Sequence, residues 1–347
     1  MRKFHIEPWS TVDKEVLSRA LIAVGRLNDL TPGVRVFIKP NFTFPFFKEG
    51  VTTPPDLIRG MVELLAARGA DITIGEAGAS LDVFNLHDSF ADHGLYDLQN
   101  EYGIRVVHLR EEEIVQVSLG TSRLARRVPL PRRLLENTDL FITLPVAKVH
   151  AMTGVSLAIK NQWGCIAAEK RFLFHPAFAE ILFGLHKLLP PQIAVCDGRY
   201  VLTDNGPMFG TARPGQFLAA ANDVGTFDVA MCRLMGVNPT KIGHINYMIK
   251  RGAAPAGWDE IESNCDPAVF RPCEFPLKRT LQNYIALAGF HSSLITWFGY
   301  DSFASDFLHR ILYFIKPNPL EKEMGERMRR SCPGGGTEKP NDLARKP

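Results

Sequence analysis

The sequence predicts an α/β protein in which a mostly parallel sheet is flanked by helices, in one or two α/β lobes, with a helical extension at the C-terminal end. Three observations predict this class. Short apolar runs alternate with helical segments over residues 12–236, polar side chains follow several of the apolar runs, and the composition changes after residue 252. Strands that alternate with helices usually pair in parallel, because each helix returns the chain to the same edge of the sheet.

The first elements alternate between helix and strand. Residues 12–28 have helical spacing, and VRVFIKP (34–40) is a short apolar run typical of a buried strand. The elements that follow, in order, are predicted at 53–69 (helix), 71–77 (strand), 89–103 (helix) and 104–109 (strand). This succession favours parallel pairing of the three strands.

The second part of the α/β region continues with the same kinds of segment. The predicted elements, in order, are 139–149 (strand), 175–189 (helix), 192–198 (strand), 216–223 (strand) and 227–236 (helix). A glycine at residue 236 closes the last helix. These elements extend the same sheet.

The remaining chain differs in composition. We expect one domain over 1–252, a helical extension over 253–330 and a disordered tail over 331–347. The segment 281–315 is rich in aromatic and aliphatic residues, namely Phe290, Leu294, Trp297, Phe298, Phe303, Phe307, Leu312 and Phe314. Such residues more often cover the core of their own domain, and the alternative is contact with a membrane surface or with a second copy of the chain.

Composition excludes several classes of function. The formal net charge of +3 over 347 residues does not favour nucleic-acid binding. The six cysteines form no CxxC pair and show no metal-ligand spacing, so neither an iron–sulfur cluster nor structural zinc is expected. The N-terminus lacks the apolar region of a secretory signal, and no apolar run is long enough to span a membrane. We therefore expect a cytoplasmic protein with reduced thiols.

Polar residues lie at the ends of four of the predicted strands. They are Lys39 and Asn41, Glu76, Lys148 and His150, and Asp197. In open α/β sheets, ligands bind outside the carboxyl ends of the strands. Each residue alone could be a turn or capping residue, but four strands with the same feature predict a shared site.

The stretch LPVAKVHAMTGVSLAIKNQWGC (144–165) adds Lys160 and Asn161 among apolar neighbours. A partly buried lysine needs a partner or a lowered pKa, so the apolar neighbours argue against a Lys160 that is only solvated. Lys170 and His175 follow just before a predicted helix, and Asn205 lies in the turn-forming LTDNGPMFG (202–210). The plainer alternative is that these residues are solvated or cap helices.

These motifs together resemble a known family. KPN (39–41), residues 52–78, residues 144–165, Lys170 with His175, DGRYVLTDNGPMFG (197–210) and residues 222–236 occur in the order found in the family catalogued as domain of unknown function 362 (DUF362). The resemblance covers about residues 34–252.

Many members of that family are fused to a ferredoxin-type module with two iron–sulfur clusters, and this chain lacks the required cysteine runs. The family is also remotely similar to the lactate racemases. That similarity implies hydroxy-acid or sugar-like substrates and paired basic residues for proton transfer. The nickel cofactor of those racemases is not carried over, because their attachment lysine has no residue-by-residue match in this sequence.

Two functions from different classes fit these residues. The first is an enzyme that epimerises, isomerises or eliminates next to the carboxylate or phosphate of a small anionic substrate by acid–base chemistry. Its predicted catalytic residues are His150, His175, Lys160 and Lys148. Its predicted substrate-binding residues are Lys39, Asn41, Glu76, Asn161, Lys170, Asp197 and Asn205. The second is a non-catalytic or electron-transfer accessory protein that binds an anionic cofactor or a protein partner.

Two variants of the enzyme remain open. A divalent metal could be held by ligands chosen from His150, His175, Asp197 and Glu76, although their spacing matches no compact metal motif. Alternatively, Lys160 could form a Schiff base with its substrate. The cofactor is otherwise unknown.

Overall fold

A computed structural model describes residues 1–25, 27, 30–80, 83–300, 302 and 323. The chain divides into two compact units, Met1–His291 and Ser292–Pro347. The first unit is an α/β structure with a mostly parallel sheet flanked by helices, as the sequence predicts.

The strands of the described residues, numbered in chain order, are β1 Lys3–Pro8, β2 Arg35–Lys39, β3 Asp71–Glu76, β4 Arg105–His108, β5 Ile114–Val117, β6 Val128–Pro131, β7 Leu140–Thr143, β8 Lys148–His150, β9 Gly154–Ser156, β10 Gln192–Asp197, β11 Tyr200–Thr203, β12 Thr211–Pro214, β13 Phe217–Ala221 and β14 Glu262–Ser263. The α-helices are α1 Lys14–Ala23, α2 Pro55–Ala66, α3 Leu86–Asp92, α4 Leu95–Tyr102, α5 Arg132–Glu136, α6 Ala158–Asn161, α7 Phe178–Leu188, α8 Val224–Met235, α9 Gly243–Ile249, α10 Leu281–His291 and α11 Ser293–Tyr300.

The main sheet has eight strands in the order β14-β1-β13-β10-β7-β2-β3-β4. Five neighbouring strands, from β10 to β4, are parallel, whereas β13 runs antiparallel to both β10 and β1. The chain adds β3 and β4 on one side of β2 and later adds β7 and β10 on the other side. The order therefore reverses between β2 and β7, and loops that leave such a reversal open a crevice for ligands.

The core lies on both faces of this sheet because successive side chains of a strand point to opposite faces. Phe37 of β2 and Phe141 of β7 stack on one face with ring centroids 5.7 Å apart. Ile38 and Ile142, the next residues of the same strands, pack into a separate cluster on the opposite face. With both faces covered, the strands consist of continuous apolar runs rather than alternating ones.

The predicted strand 139–149 is two strands in the structure. β7 ends at Thr143, and β8 begins at Lys148 in a second sheet of order β12-β11-β8-β9. Pro145 lies in the break, where its missing N–H prevents a continuous ladder. This break carries Lys148 and His150 away from the main sheet and over the ends of its strands.

The C-terminal part also differs from the predicted boundary at residue 252. The first compact unit extends to His291, and within it β14 pairs with β1. The first α-helix after residue 252 is α10, which begins at Leu281. In the second unit, α11 exposes Leu294, Trp297 and Phe298. Phe303, Phe307, Leu312, Phe314 and the predicted tail lie outside the described residues. No helix among the described residues is long and apolar enough to cross a membrane.

Candidate functional site

A buried ion pair lies where the strand order reverses. Lys39, the last residue of β2, pairs through Nζ with Glu76, the last residue of β3, and also donates to the carbonyl oxygen of Pro40 at 2.7 Å. Lys39 is fully buried and Glu76 is 5% exposed. The second carboxylate oxygen of Glu76 accepts from the backbone N–H of Ala77 at 2.9 Å. Both charges are therefore satisfied inside the protein.

This ion pair fits against the backbone of Gly164. A Cβ at Gly164 would lie 2.3 Å from Oε1 of Glu76 and 2.8 Å from Nζ of Lys39. The carbonyl oxygen of Gly164 also accepts from the N–H of Ala77 at 3.1 Å. Only a residue without a side chain permits so close an approach.

Asn161 links the helix that carries Lys160 to the same two strand ends. Its Nδ2 donates to the carbonyl oxygen of Lys39 at 3.1 Å and to Oγ1 of Thr143 at 2.8 Å. Asn161 is 5% exposed. It acts as a buried clamp between β2, β7 and α6.

Lys148 is fully buried and has three oxygen partners. Its Nζ donates to Oδ1 of Asn41 at 3.1 Å, to Oγ1 of Thr43 at 3.1 Å and to the carbonyl oxygen of Val51 at 2.7 Å. Burial, followed by the charges of Lys160 and Lys39, lowers the pKa of Lys148 well below its ordinary value. The three oxygens use every proton of the ammonium, so Lys148 and Asn41 form a structural unit.

The short helix α6 is held by a carboxylate from another helix. Asp228 of α8 is fully buried and accepts from the N–H groups of Ala158 at 2.8 Å and Ile159 at 3.3 Å. Burial raises the pKa of Asp228 well above its ordinary value, and the two N–H groups oppose that shift. Asp228 thereby fixes the start of α6 and the position of Lys160.

Lys160 differs from the other two lysines of this edge. It is half-buried, and its Nζ makes neither a hydrogen bond nor an ion pair with any residue that the structure describes. Burial lowers the pKa of Lys160 to about 8, and the charge of Arg171 adds to the effect. Glu76 opposes the shift, whereas Lys39 supports it. The electrostatic potential at this amine is therefore positive.

His150 lies in the same positive region with one ring nitrogen already occupied. Its Nδ1 accepts from the N–H groups of Met152 at 3.1 Å and Thr153 at 3.3 Å. Burial, followed by the charges of Lys160 and Lys148, lowers the pKa of His150 well below its ordinary value. The ring is therefore neutral with its proton on Nε2, which can donate a hydrogen bond.

Two further histidines lie on an aromatic wall beside Lys160. His175 packs between Trp163 and Phe290, with ring centroids 5.6 Å and 4.6 Å away. His244 packs edge-on against Phe178 at 5.6 Å, and Phe178 also lies 6.1 Å from His175. Burial, followed by the charge of Lys160, lowers the pKa of each histidine to about 3. Both imidazoles are therefore neutral at neutral pH.

Other predicted site residues lie outside this group. Asp197 forms an ion pair with Arg199 at 2.7 Å, and Arg199 also pairs with Asp56. Lys170 is half-buried in the turn before the 3-10 helix Arg171–Ala177. Asn205 is half-buried beside the turn that follows Asp204. The charges that shift the pKa of Lys160 are those of Arg171, Glu76 and Lys39.

The sequence-based reasoning missed four residues of the site, namely Trp163, Arg171, Asp228 and His244. Arg171 directly follows the predicted Lys170, and its charge lowers the pKa of Lys160. Asp228 of α8 accepts from the N–H of Ala158 in α6, and no local pattern in the sequence links these two helices. Nothing in the local sequence marks His244, whose Nε2 is buried without a hydrogen-bond partner in the described chain.

The described residues contain no group of three or more His, Cys, Asp or Glu side chains arranged to hold a metal ion. The charge of Lys160 acts on both His150 and His175, and a cationic Lys160 repels a metal cation.

The comparison with protein families supplies the classification. The model of the family described as "Domain of unknown function (DUF362)" matches residues 36–233. The chain belongs to this family. The match contains the strand-end motifs, Lys160 and Asp228, and it ends before α9 and His244.

Individual relatives are distant. The thylakoid-associated protein sll1697 of Synechocystis sp. (strain ATCC 27184 / PCC 6803 / Kazusa) is 24% identical in an alignment of 278 residues that covers 75% of this chain and 84% of that protein. Two solved structures are similar at lower identity. A protein of Thermotoga maritima is 16% identical with a TM-score of 0.36, over 59% of this chain and 55% of that one. The lactate racemase apoprotein of Thermoanaerobacterium thermosaccharolyticum is 14% identical with a TM-score of 0.43, over 68% and 57%. The chain thus spans little more than half of each solved structure.

Proposed function

We propose that this protein is an enzyme that moves protons on a small anionic substrate, with Lys160 as its reacting group. The observation that carries the proposal is the state of that residue. Lys160 is half-buried, has no partner among the described residues, and has a pKa of about 8. Strongly shifted groups without a structural partner are typical of active sites.

The surrounding charges suit a carboxylate or a phosphate. Burial lowers the pKa of Lys160 most, and the positive charge of Arg171, which adds to this effect, also attracts an anion. A group with a pKa of about 8 is partly neutral at physiological pH and can therefore take up a proton. His150 donates from Nε2 to a substrate oxygen as negative charge develops there.

The other predicted residues take supporting roles in this proposal. Lys39, Glu76, Lys148, Asn41 and Asn161 hold the strand ends and α6 in place through their buried hydrogen bonds. His175 is neutral and forms part of the aromatic wall. Binding of substrate by Lys170, Asp197 and Asn205 stays a prediction.

Proton exchange with solvent tests this function without knowledge of the product. The protein is incubated in D2O with lactate, pyruvate, glycerate and malate, and loss of the C–H signal is followed by NMR. We expect exchange in the wild type that falls by about 10²–10⁴-fold in Lys160→Met. The rate should rise with pH up to about 8, because the neutral amine is the active form.

A matched control is Lys187→Met, which removes an exposed lysine from α7. It should exchange at the wild-type rate. Equal exchange in Lys160→Met and the wild type, or no exchange with any of the four acids, would contradict the proposal.

The second candidate is an accessory protein that binds an anion or a partner without turnover. Its support is the exposed apolar side of α11 and the name of the thylakoid-associated relative. Contact of 281–315 with a membrane or a second copy stays a prediction. Co-sedimentation with anionic vesicles, together with an anion recovered unchanged by native mass spectrometry, would favour this candidate.

A further inference from the structure

Three lysines lie at the same edge of the protein, and they differ in what their amines contact. The amine of Lys39 pairs with Glu76 and donates to a backbone carbonyl, and the amine of Lys148 donates to three oxygens. The amine of Lys160 has no such contact within the described chain. It is the one of these three whose nitrogen is open to a ligand.

The surroundings of Lys160 favour a neutral amine. With a pKa of about 8, about a tenth of the molecules carry the free amine at pH 7 and about half at pH 8. A neutral amine has a lone pair, and desolvated lysines beside another cation are known to become nucleophiles. Arg171 is that cation here.

The groups around the amine suit addition to a carbonyl. His150 offers a fixed Nε2–H, because both of its Nδ1 contacts are N–H donors. Trp163, His175, Phe178 and Phe290 form an apolar wall with ring centroids 4.6–6.1 Å apart. Such a wall limits access of water, which would hydrolyse a carbon–nitrogen double bond.

The positive potential selects for an acid among carbonyl compounds. Arg171 and Lys39 both act on Lys160 in the same direction, and Glu76 opposes them only in part. A carboxylate next to the carbonyl would lower the free energy of binding by interacting with this excess of positive charge.

We propose that Lys160 forms an imine with the carbonyl carbon of a small 2-oxo carboxylate. This inference rests on the proposed function and names its substrate class. The amine nitrogen bonds to the carbonyl carbon, and both amine protons leave with the carbonyl oxygen as one molecule of water. His150 donates a hydrogen bond to that oxygen while the carbon–oxygen bond breaks. The step needs no oxidant or reductant.

Reductive trapping tests the imine. The full-length protein is incubated with glyoxylate, pyruvate or 2-oxoglutarate and sodium cyanoborohydride, and the adducts are located by peptide mass spectrometry. We expect at least tenfold more adduct on Lys160 than on exposed Lys187. Labelling should rise with pH toward about 8, and Lys160→Arg should lose the adduct while Lys187→Arg keeps it.

The outcomes separate the two proposals. Adducts spread evenly over surface lysines, or no adduct at Lys160, would overturn the imine. If proton exchange in D2O persists in that case, Lys160 acts only as a base and the proposed function stands. Absence of both the adduct and the exchange would overturn both. Peptide mapping of the wild type alone gives the same answer should Lys160→Arg fail to fold.

Discussion

Two groups of polar residues at the same edge of this protein differ in how well they are satisfied. The strand-end group consists of Lys39, Glu76, Lys148 and Asn161, and all four side chains hydrogen-bond within the protein. The helix group consists of Lys160 of α6 and the three histidines whose pKa values its charge lowers, His150, His175 and His244. Nζ of Lys160 and Nε2 of His244 have no hydrogen-bond partner among the described residues.

The difference separates structural polar groups from reactive ones. Buried polar groups in proteins are nearly always hydrogen-bonded, since an unpaired group costs free energy. The strand-end group follows this rule and stabilises the fold. The helix group contains polar atoms without a hydrogen bond, which lowers the stability of the fold. Such atoms are typical of sites where a bound ligand supplies the missing hydrogen-bond partner.

The sharpest test of this comparison exchanges each lysine for methionine. Lys148→Met removes a buried donor that three oxygens share, two of them buried, and should lower the free energy of unfolding by about 2–5 kcal/mol. Lys160→Met removes an unpaired amine, so the free energy of unfolding should stay unchanged or rise by about 1 kcal/mol. Urea unfolding of both variants measures the two effects, and equal destabilisation would break the distinction.

A second test adds one methyl group beside the ion pair. In Gly164→Ala the new Cβ meets Glu76 and Lys39 and should lower the free energy of unfolding by about 1–3 kcal/mol. Gly243→Ala is the control, because nothing lies within 4 Å of its Cβ position at the start of α9. That variant should be as stable as the wild type or slightly more stable. Thermal unfolding compares the two, and a neutral Gly164→Ala would show that the ion pair has room.

The smallest effect concerns the carboxylate that links the two helices. The pKa of Asp228 is raised above 3.8 in the folded protein, so the folded state keeps a proton that the unfolded state releases. Stability should therefore fall as pH rises from about 4 to the folded pKa. Asp228→Asn should remove this slope while costing about 1 kcal/mol at low pH, since its oxygen can still accept from Ala158. Urea unfolding at several pH values measures the slope, and an unchanged slope would assign it to another group.

Much of the fold was predictable from local patterns. The alternation of apolar runs and helical segments predicted the parallel strands. The positions of Lys39, Glu76 and Lys148 at strand ends predicted that these residues are neighbours. The break at Pro145 was missed, because an apolar run by itself does not show where a chain changes sheets. β1 was also missed, since its pairing with β13 spans most of the chain.

The sequence by itself determined the α/β class, the family and a basic edge that includes Lys160, because periodicity and motif order depend on residues that are near in the chain. Only the tertiary structure decided which lysine is satisfied. Lys148 and Lys160 have similar sequence surroundings, but partners from residues 41–51 reach only Lys148. The charge of Arg171 and the support of Asp228 act on Lys160 or its helix through space. Hydrogen bonding and pKa depend on distance in space, which no local pattern records.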